Sequence, residues 1–219
     1  MTKRQQQQNL SDSRDGGYTI IESLVAMIVV SVLMIAIAPV MAFSVATRVQ
    51  ARRVELATQA ARTYIDALRT GAIKPGETGF PIPAPAGDLA GASIPTFDKT
   101  YCVDMDGEKT GTEYCPASSN KDFRVQGAWL NKDVTNTDPT SKGYELLVRV
   151  YRADSFATDV KLKAPKNATK QSVVGPGFGL GDRTMPVVEM TTQIPPTTGE
   201  TSPYESLCAR LKGANTKCE

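Results

Sequence analysis

From Ser23 to Thr47 the chain runs for 25 residues without a charged side chain. About 20 apolar residues in helical form cross the hydrocarbon core of a bilayer, so this stretch is long enough to span one. Lys3, Arg4 and Arg14 precede it and Arg48, Arg52 and Arg53 follow it. Basic residues on both sides leave the positive-inside rule without a decision on orientation. The stretch opens on an acid, Glu22. A carboxylate held in hydrocarbon costs roughly 2.5–3.5 kcal/mol even on the gentler scales, so such a residue either reaches interfacial water or has a partner.

The segment before the apolar run, Met1 to Gly17, is polar and contains four consecutive glutamines. An ordinary secretory signal has an apolar core followed by a small-residue cleavage site. Here the apolar core instead leads into a helical pattern. Val49, Leu56, Ala60, Tyr64 and Leu68 recur at helical spacing and predict an amphipathic continuation with one buried face. Arg62 and Arg69 stand four before and three after Asp66, positioned to pair with it. Gly71 is a candidate C-cap, and Pro75 lies beyond it. One helix is therefore expected from about Thr19 to Thr70. Pro39 falls inside it, where the missing N–H and the clash with the preceding turn predict a kink or local melting.

Composition excludes several functions. The chain has 219 residues, a formal net charge of +2 and no histidine. Without imidazole there is no Ser-His-Asp or Cys-His centre and no His-ligated zinc site. No Lys/Arg stripe interleaved with aromatics marks a nucleic-acid partner. Four cysteines, Cys102, Cys115, Cys208 and Cys218, all follow the apolar run. An even number placed there fits disulfides in an oxidising compartment, which puts the N-terminus on the cytoplasmic side. Three connectivities are open. Pairing 102 with 115 and 208 with 218 closes two short loops and is preferred; free buried thiols are the alternative.

The string GGYTIIESLVAMIVVSVLMIAIAP, Gly16 to Pro39, resembles the class III signal of type IV prepilins and pseudopilins. The resemblance implies a leader, residues 1–17, cut by a prepilin peptidase between Gly17 and Tyr18, followed by N-methylation of Tyr18. It makes Glu22 the fifth residue of the mature chain, with an assembly role: pairing with the free amine of a neighbouring subunit's first residue. It makes Pro39 the family's helix break. Tyr18 replaces the usual phenylalanine but keeps the aromatic ring. The implied organisation is a transmembrane and assembly half of the helix at 18–47, an amphipathic half at 48–71 and a β-rich head at 72–219. The implied fold class is α+β and pilin-like, the long N-terminal helix packed against a small antiparallel sheet. A narrower stretch, SVATRVQARRVELATQAARTYIDALRTGAI, is similar to cyanobacterial pseudopilins of hormogonium polysaccharide secretion.

Within the head, KPGETGFPIPAPAGDLAGASIP is rich in proline and glycine and predicts an irregular connection. TYCVDM, DFRVQGAWL, YELLVRVYRA and TMPVVEMTTQI read as four strands. In the third, Leu146, Val148 and Val150 share one face, with Glu145, Arg149 and Tyr151 on the other. Pro186 marks the fourth as an edge strand or a strand start. Asp104, Asp106 and Glu113 fall at calcium-loop spacing counted from Cys102, but position one is not an oxygen ligand and the flanks are not helical. A solvated acidic loop closed by a disulfide, with no metal, is the preferred reading. The glycines at 175–183 lack the Lys-Ser/Thr end of a phosphate loop. Trp129 is expected in the core, and the loop bounded by Cys208 and Cys218 is basic, with Arg210, Lys212 and Lys217. These residues give no catalytic set and no cofactor site. The resemblance implies a minor pilin or pseudopilin, not an enzyme. It would be anchored in the inner membrane with its head in the periplasm and incorporated into a pilus or pseudopilus of a type II secretion-like machine, supporting motility and polysaccharide export. Its partners would be other pilin subunits, the peptidase, the inner-membrane assembly platform and an exported polysaccharide. The alternative is a filament-tip adhesin binding a glycan or a surface.

Overall fold

The computed structural model describes residues 19–84, 88–107, 114–130, 139–163 and 182–198, with 202, 204, 205 and 208. The chain divides into two compact units, Met1–Ser44 and Val45–Glu219. One helix, α1 (Ile20–Arg69), contributes to both. Its ends lie within a residue of the expected ones. Pro39 sits inside it without interrupting it, so the expected melting does not occur there; the proline's missing donor costs one backbone hydrogen bond. At the far end Gly71 adopts φ 71°, and the Ala72 N–H donates to the Ala67 carbonyl at 2.9 Å. A left-handed C-cap of this kind is where glycine avoids the Cβ penalty. The expected pairing of Asp66 with Arg62 or Arg69 is not formed; Arg69 instead donates weakly to Thr192 Oγ1 at 3.4 Å.

The second unit holds a five-stranded sheet. Its strands are β1 (Ile82–Pro83), β2 (Tyr101–Val103), β3 (Phe123–Leu130), β4 (Tyr144–Arg152) and β5 (Val188–Ile194). The order is β1-β3-β4-β5, with β2 also paired to β3. All four expected strands are present, and β5 is an edge strand as Pro186 implies. The sheet is mixed, not purely antiparallel as expected. The Pro/Gly-rich stretch supplies a two-residue strand, Ile82–Pro83, running parallel to β3. Pro83 can serve there because an edge position needs no further donor. A short helix, α2 (Pro139–Lys142), precedes β4.

One face of the sheet packs on the amphipathic part of α1. Val125, Tyr144, Leu146, Val148 and Val150 are buried with Ala57, Ala60, Ala61, Tyr64, Ile65 and Leu68. The three alanines let the helix backbone approach closely. Val49, expected on this face, is 41% exposed, because the contact begins only a turn or two further on. Trp129 is half-buried and packs against this core, its ring 6.2 Å from that of Tyr144.

Tyr64 is fully buried, and its hydroxyl donates to the Gly79 carbonyl at 2.7 Å. It fits because β3 carries glycine at 127; a Cβ there would lie 2.2 Å from the Tyr64 oxygen. Burial pushes the Tyr64 hydroxyl far above its ordinary pKa, with Tyr144 and Tyr101 adding to it, so it stays a donor. Tyr64→Phe would leave the Gly79 carbonyl without this donor. A loss of about 1–3 kcal/mol in denaturant unfolding is expected; an unchanged midpoint would show that water replaces the hydroxyl at no cost.

The opposite face is also covered. Leu89 and Ala92 pack on Ala128 and Leu147. Two polar side chains of that face hold the overlying segment by its carbonyls, and a third, Arg124, holds a carbonyl further along the chain. Gln126 Nε2 donates to Ser93 O at 2.7 Å, and Arg149 donates to Ala92 O and Ala90 O at 3.0 and 2.8 Å. Arg124 donates twice to Cys115 O and lies over the Phe97 ring. The proline- and glycine-rich segment is thus the second layer of the head rather than a linker. Buried backbone carbonyls need donors, and the outer-face residues of β3 and β4 supply them.

Candidate assembly site and head features

The apolar unit is built for contact with something outside the chain. From Thr19 to Ser44 every residue is exposed, including Leu24, Ile28, Val32 and Ile35. None of the described residues covers them. Two serine hydroxyls of this stretch turn inward to the helix: Ser23 donates to Ile20 O at 2.8 Å and Ser31 to Met27 O at 2.7 Å. Polar groups satisfied within the helix are what an apolar surrounding demands.

Thr19 caps the helix. Its carbonyl accepts from the N–H groups of Glu22 and Ser23 at 3.0 and 3.2 Å, and its Oγ1 accepts from the Glu22 N–H at 3.3 Å. Glu22 lies in the first turn, where a carboxylate meets the positive end of the helix dipole. The signal is legible as T-x-x-E, a capping-box pattern that sequence reading passed over. Capping fixes where the helix starts and so fixes the height of Glu22 along it. Gly17 and Tyr18 lie outside the described residues.

In the head, Cys102 and Cys115 form a disulfide with Cα atoms 5.8 Å apart. Cys208 is disulfide-bonded as well, whereas Cys218 lies outside the described residues. Among the described residues no cysteine is free, against the thiol alternative for Cys102, Cys115 and Cys208. The loop bounded by Cys208 and Cys218, with Arg210, Lys212 and Lys217, is not described beyond Cys208, and of the 175–183 stretch only Asp182 and Arg183 are. Asp104 and Asp106 lie together with Asp122, one carboxylate oxygen of each within 4.8 Å of the others; Glu113 lies outside the described residues. These carboxylates have structural work. Asp104 Oδ1 accepts from the N–H groups of Asp106 and Gly107, Asp122 Oδ1 accepts from the Met105 N–H, and Asp106 pairs with Lys121 at 3.2 Å. The cluster closes a turn.

Residues 12–38 match the family model of the prokaryotic N-terminal methylation motif. No similar curated protein and no similar solved structure was found. The match supports a type IV pilin-like class III signal on this chain. The fold agrees with it: a long N-terminal helix, apolar in its first part, with a small mixed sheet forming the head. The motif implies processing by a prepilin peptidase and assembly with other pilins, and the apolar helix fits membrane anchoring.

Proposed function

We propose that this chain is a minor pilin or pseudopilin, a structural and assembly subunit without catalysis of its own. Residues 1–17 are the leader, removed between Gly17 and Tyr18, and Tyr18 is then N-methylated. Residues 18–47 anchor the subunit and pack in the filament, 48–71 carry the head, and 72–219 form it in the periplasm, stapled by Cys102–Cys115 and Cys208–Cys218. The reading is carried by the methylation-motif match lying across the start of a helix whose apolar side chains have no cover among the described residues. Lipid covers them before assembly, and neighbouring subunits cover them after it.

Glu22 pairs with the methylated amine of an adjacent Tyr18. A buried charge without its partner is strongly destabilising, so a mismatched stagger is rejected and the pair sets register. The similarity of the segment from Ser44 to Ile73 to hormogonium pseudopilins adds the finer proposal of a low-abundance subunit supporting motility and polysaccharide export. Shearing of filaments from cells tests the assembly role. The chain is expected in the sheared fraction together with the major subunit. Confinement to the membrane fraction under conditions where filaments form would overturn it.

A further inference from the structure

We propose that the head carries a binding site for an acidic oligosaccharide where α1 ends. A cavity of about 880 Å³ opens there between the last turn of α1, the loop after it, α2 and the segment following β5. Its floor is apolar, made by the buried side chains of Leu68, Ile73 and Tyr144. Phe80 and Pro196 add ring surfaces to its walls. The CH faces of pyranose rings pack on surfaces of this kind.

The polar groups around that floor are hydroxyls and cations. Thr70, Thr140, Thr197 and Thr198 line it, as do Arg69 and Lys74, and none of the described lining residues is acidic. Arg69 uses one contact, to Thr192, and keeps further donors in a guanidinium fork suited to a carboxylate. Lys74 has no ion-pair partner among the described residues. One oxygen of the nearby Glu77 carboxylate accepts from the Lys74 backbone N–H at 2.9 Å, and Glu77 is not among the described lining residues.

The rim is set in advance. The Thr140 and Thr198 hydroxyls lie 2.8 Å apart, and the N–H groups of Thr197 and Thr198 donate to the Thr140 carbonyl at 2.9 and 3.2 Å. Gly143, at φ 70°, lets this segment close down; a Cβ there would stand 2.4 Å from the Ile194 carbonyl oxygen. A preformed site avoids the ordering cost that otherwise weakens binding. An extended peptide gains most of its affinity by adding to a sheet edge; here no edge strand is among the described residues lining the cavity, so the hydroxyl-rich, cationic wall favours a polyhydroxylated acid. The proposal goes beyond the filament reading and does not depend on it.

Titration calorimetry of the full-length chain in non-ionic detergent tests it. The probes are a short oligogalacturonate, a neutral cello-oligosaccharide and a poly-glutamate peptide. The oligogalacturonate is expected to bind, more weakly as salt rises, and at least about tenfold more tightly than the other two. Arg69→Gln with Lys74→Gln, both exposed positions, is expected to weaken it by at least about tenfold with no change in thermal midpoint. Thr198→Val, which removes a rim hydroxyl and no charge, is expected to weaken it several-fold. Failure of the oligogalacturonate to bind, undiminished binding by the double variant, or equal or tighter binding of either comparison probe would overturn the proposal. The sheared-filament assay is unaffected by any of these outcomes.

Discussion

A Glu22→Ala chain is expected to reach the membrane at the normal level and to fall by an order of magnitude or more in the sheared filament fraction. The apolar run from Ser23 to Thr47 is untouched by the change, so insertion keeps its driving force. What is lost is the negative charge in the first helical turn. Under the proposed pairing, an incoming subunit then buries the amine at Tyr18 unpaired, and a single buried unpaired charge costs about 3–5 kcal/mol, enough to exclude the subunit. The substitution also removes a favourable charge near the helix N-terminus, but that effect is smaller, about 0.3–1 kcal/mol. Glu22→Gln separates the two effects. It keeps the size and hydrogen-bonding reach of the side chain while deleting its charge, and it is expected to fail as Ala does. Normal incorporation of the Gln variant beside failure of Ala would assign Glu22 to capping and not to charge pairing.

The second large effect lies in the head. Arg149 is 1% exposed and donates to Glu189 at 2.8 Å, to Ala92 O and to Ala90 O. The Glu189 side chain is itself only 5% exposed. Arg149→Met leaves that carboxylate buried without its counter-ion and takes the donors from two carbonyls of the covering segment. A loss of about 3–5 kcal/mol in denaturant unfolding is expected. Adding Glu189→Leu removes the stranded charge and should recover part of the loss, since apolar replacements of both partners are often near neutral. The recovery stays incomplete because the carbonyls of Ala90 and Ala92 remain without the guanidinium. A loss below about 1 kcal/mol for the single variant would mean that solvent reaches Glu189 and that the clamp is unimportant.

The contrast between these two sites shows what a sequence discloses. The long helix was legible because 25 uncharged residues followed by a helical apolar stripe admit few other structures, and Gly71 marked its end. The strands were legible for similar reasons; β4 alternates so cleanly that its helix-facing residues, Leu146, Val148 and Val150, follow from period two alone. Period two puts Arg149 on the correct face of β4, but nothing local shows that a distant segment covers that face. The covering segment spends its sequence on proline and glycine and contributes carbonyls, which every residue type has. Its partners, Gln126 and Arg149, look like ordinary solvated residues until the fold brings backbone oxygens to them. The parallel pairing of Ile82–Pro83 with β3 escaped for the same reason, since two residues carry no periodicity. Asp122 joined Asp104 and Asp106 through strand register and not through spacing. At the N-terminus the reverse holds: Thr19 and Glu22 announce their cap in four letters, while the proposed partner of Glu22 belongs to another molecule.

The most direct test is the intact mass and N-terminal sequence of the chain recovered from cells that assemble filaments. The expected result is a chain beginning at Tyr18, heavier by one methyl group on its amine and lacking residues 1–17. Recovery of the functional, filament-associated chain with Met1 and the glutamine run still attached would contradict it.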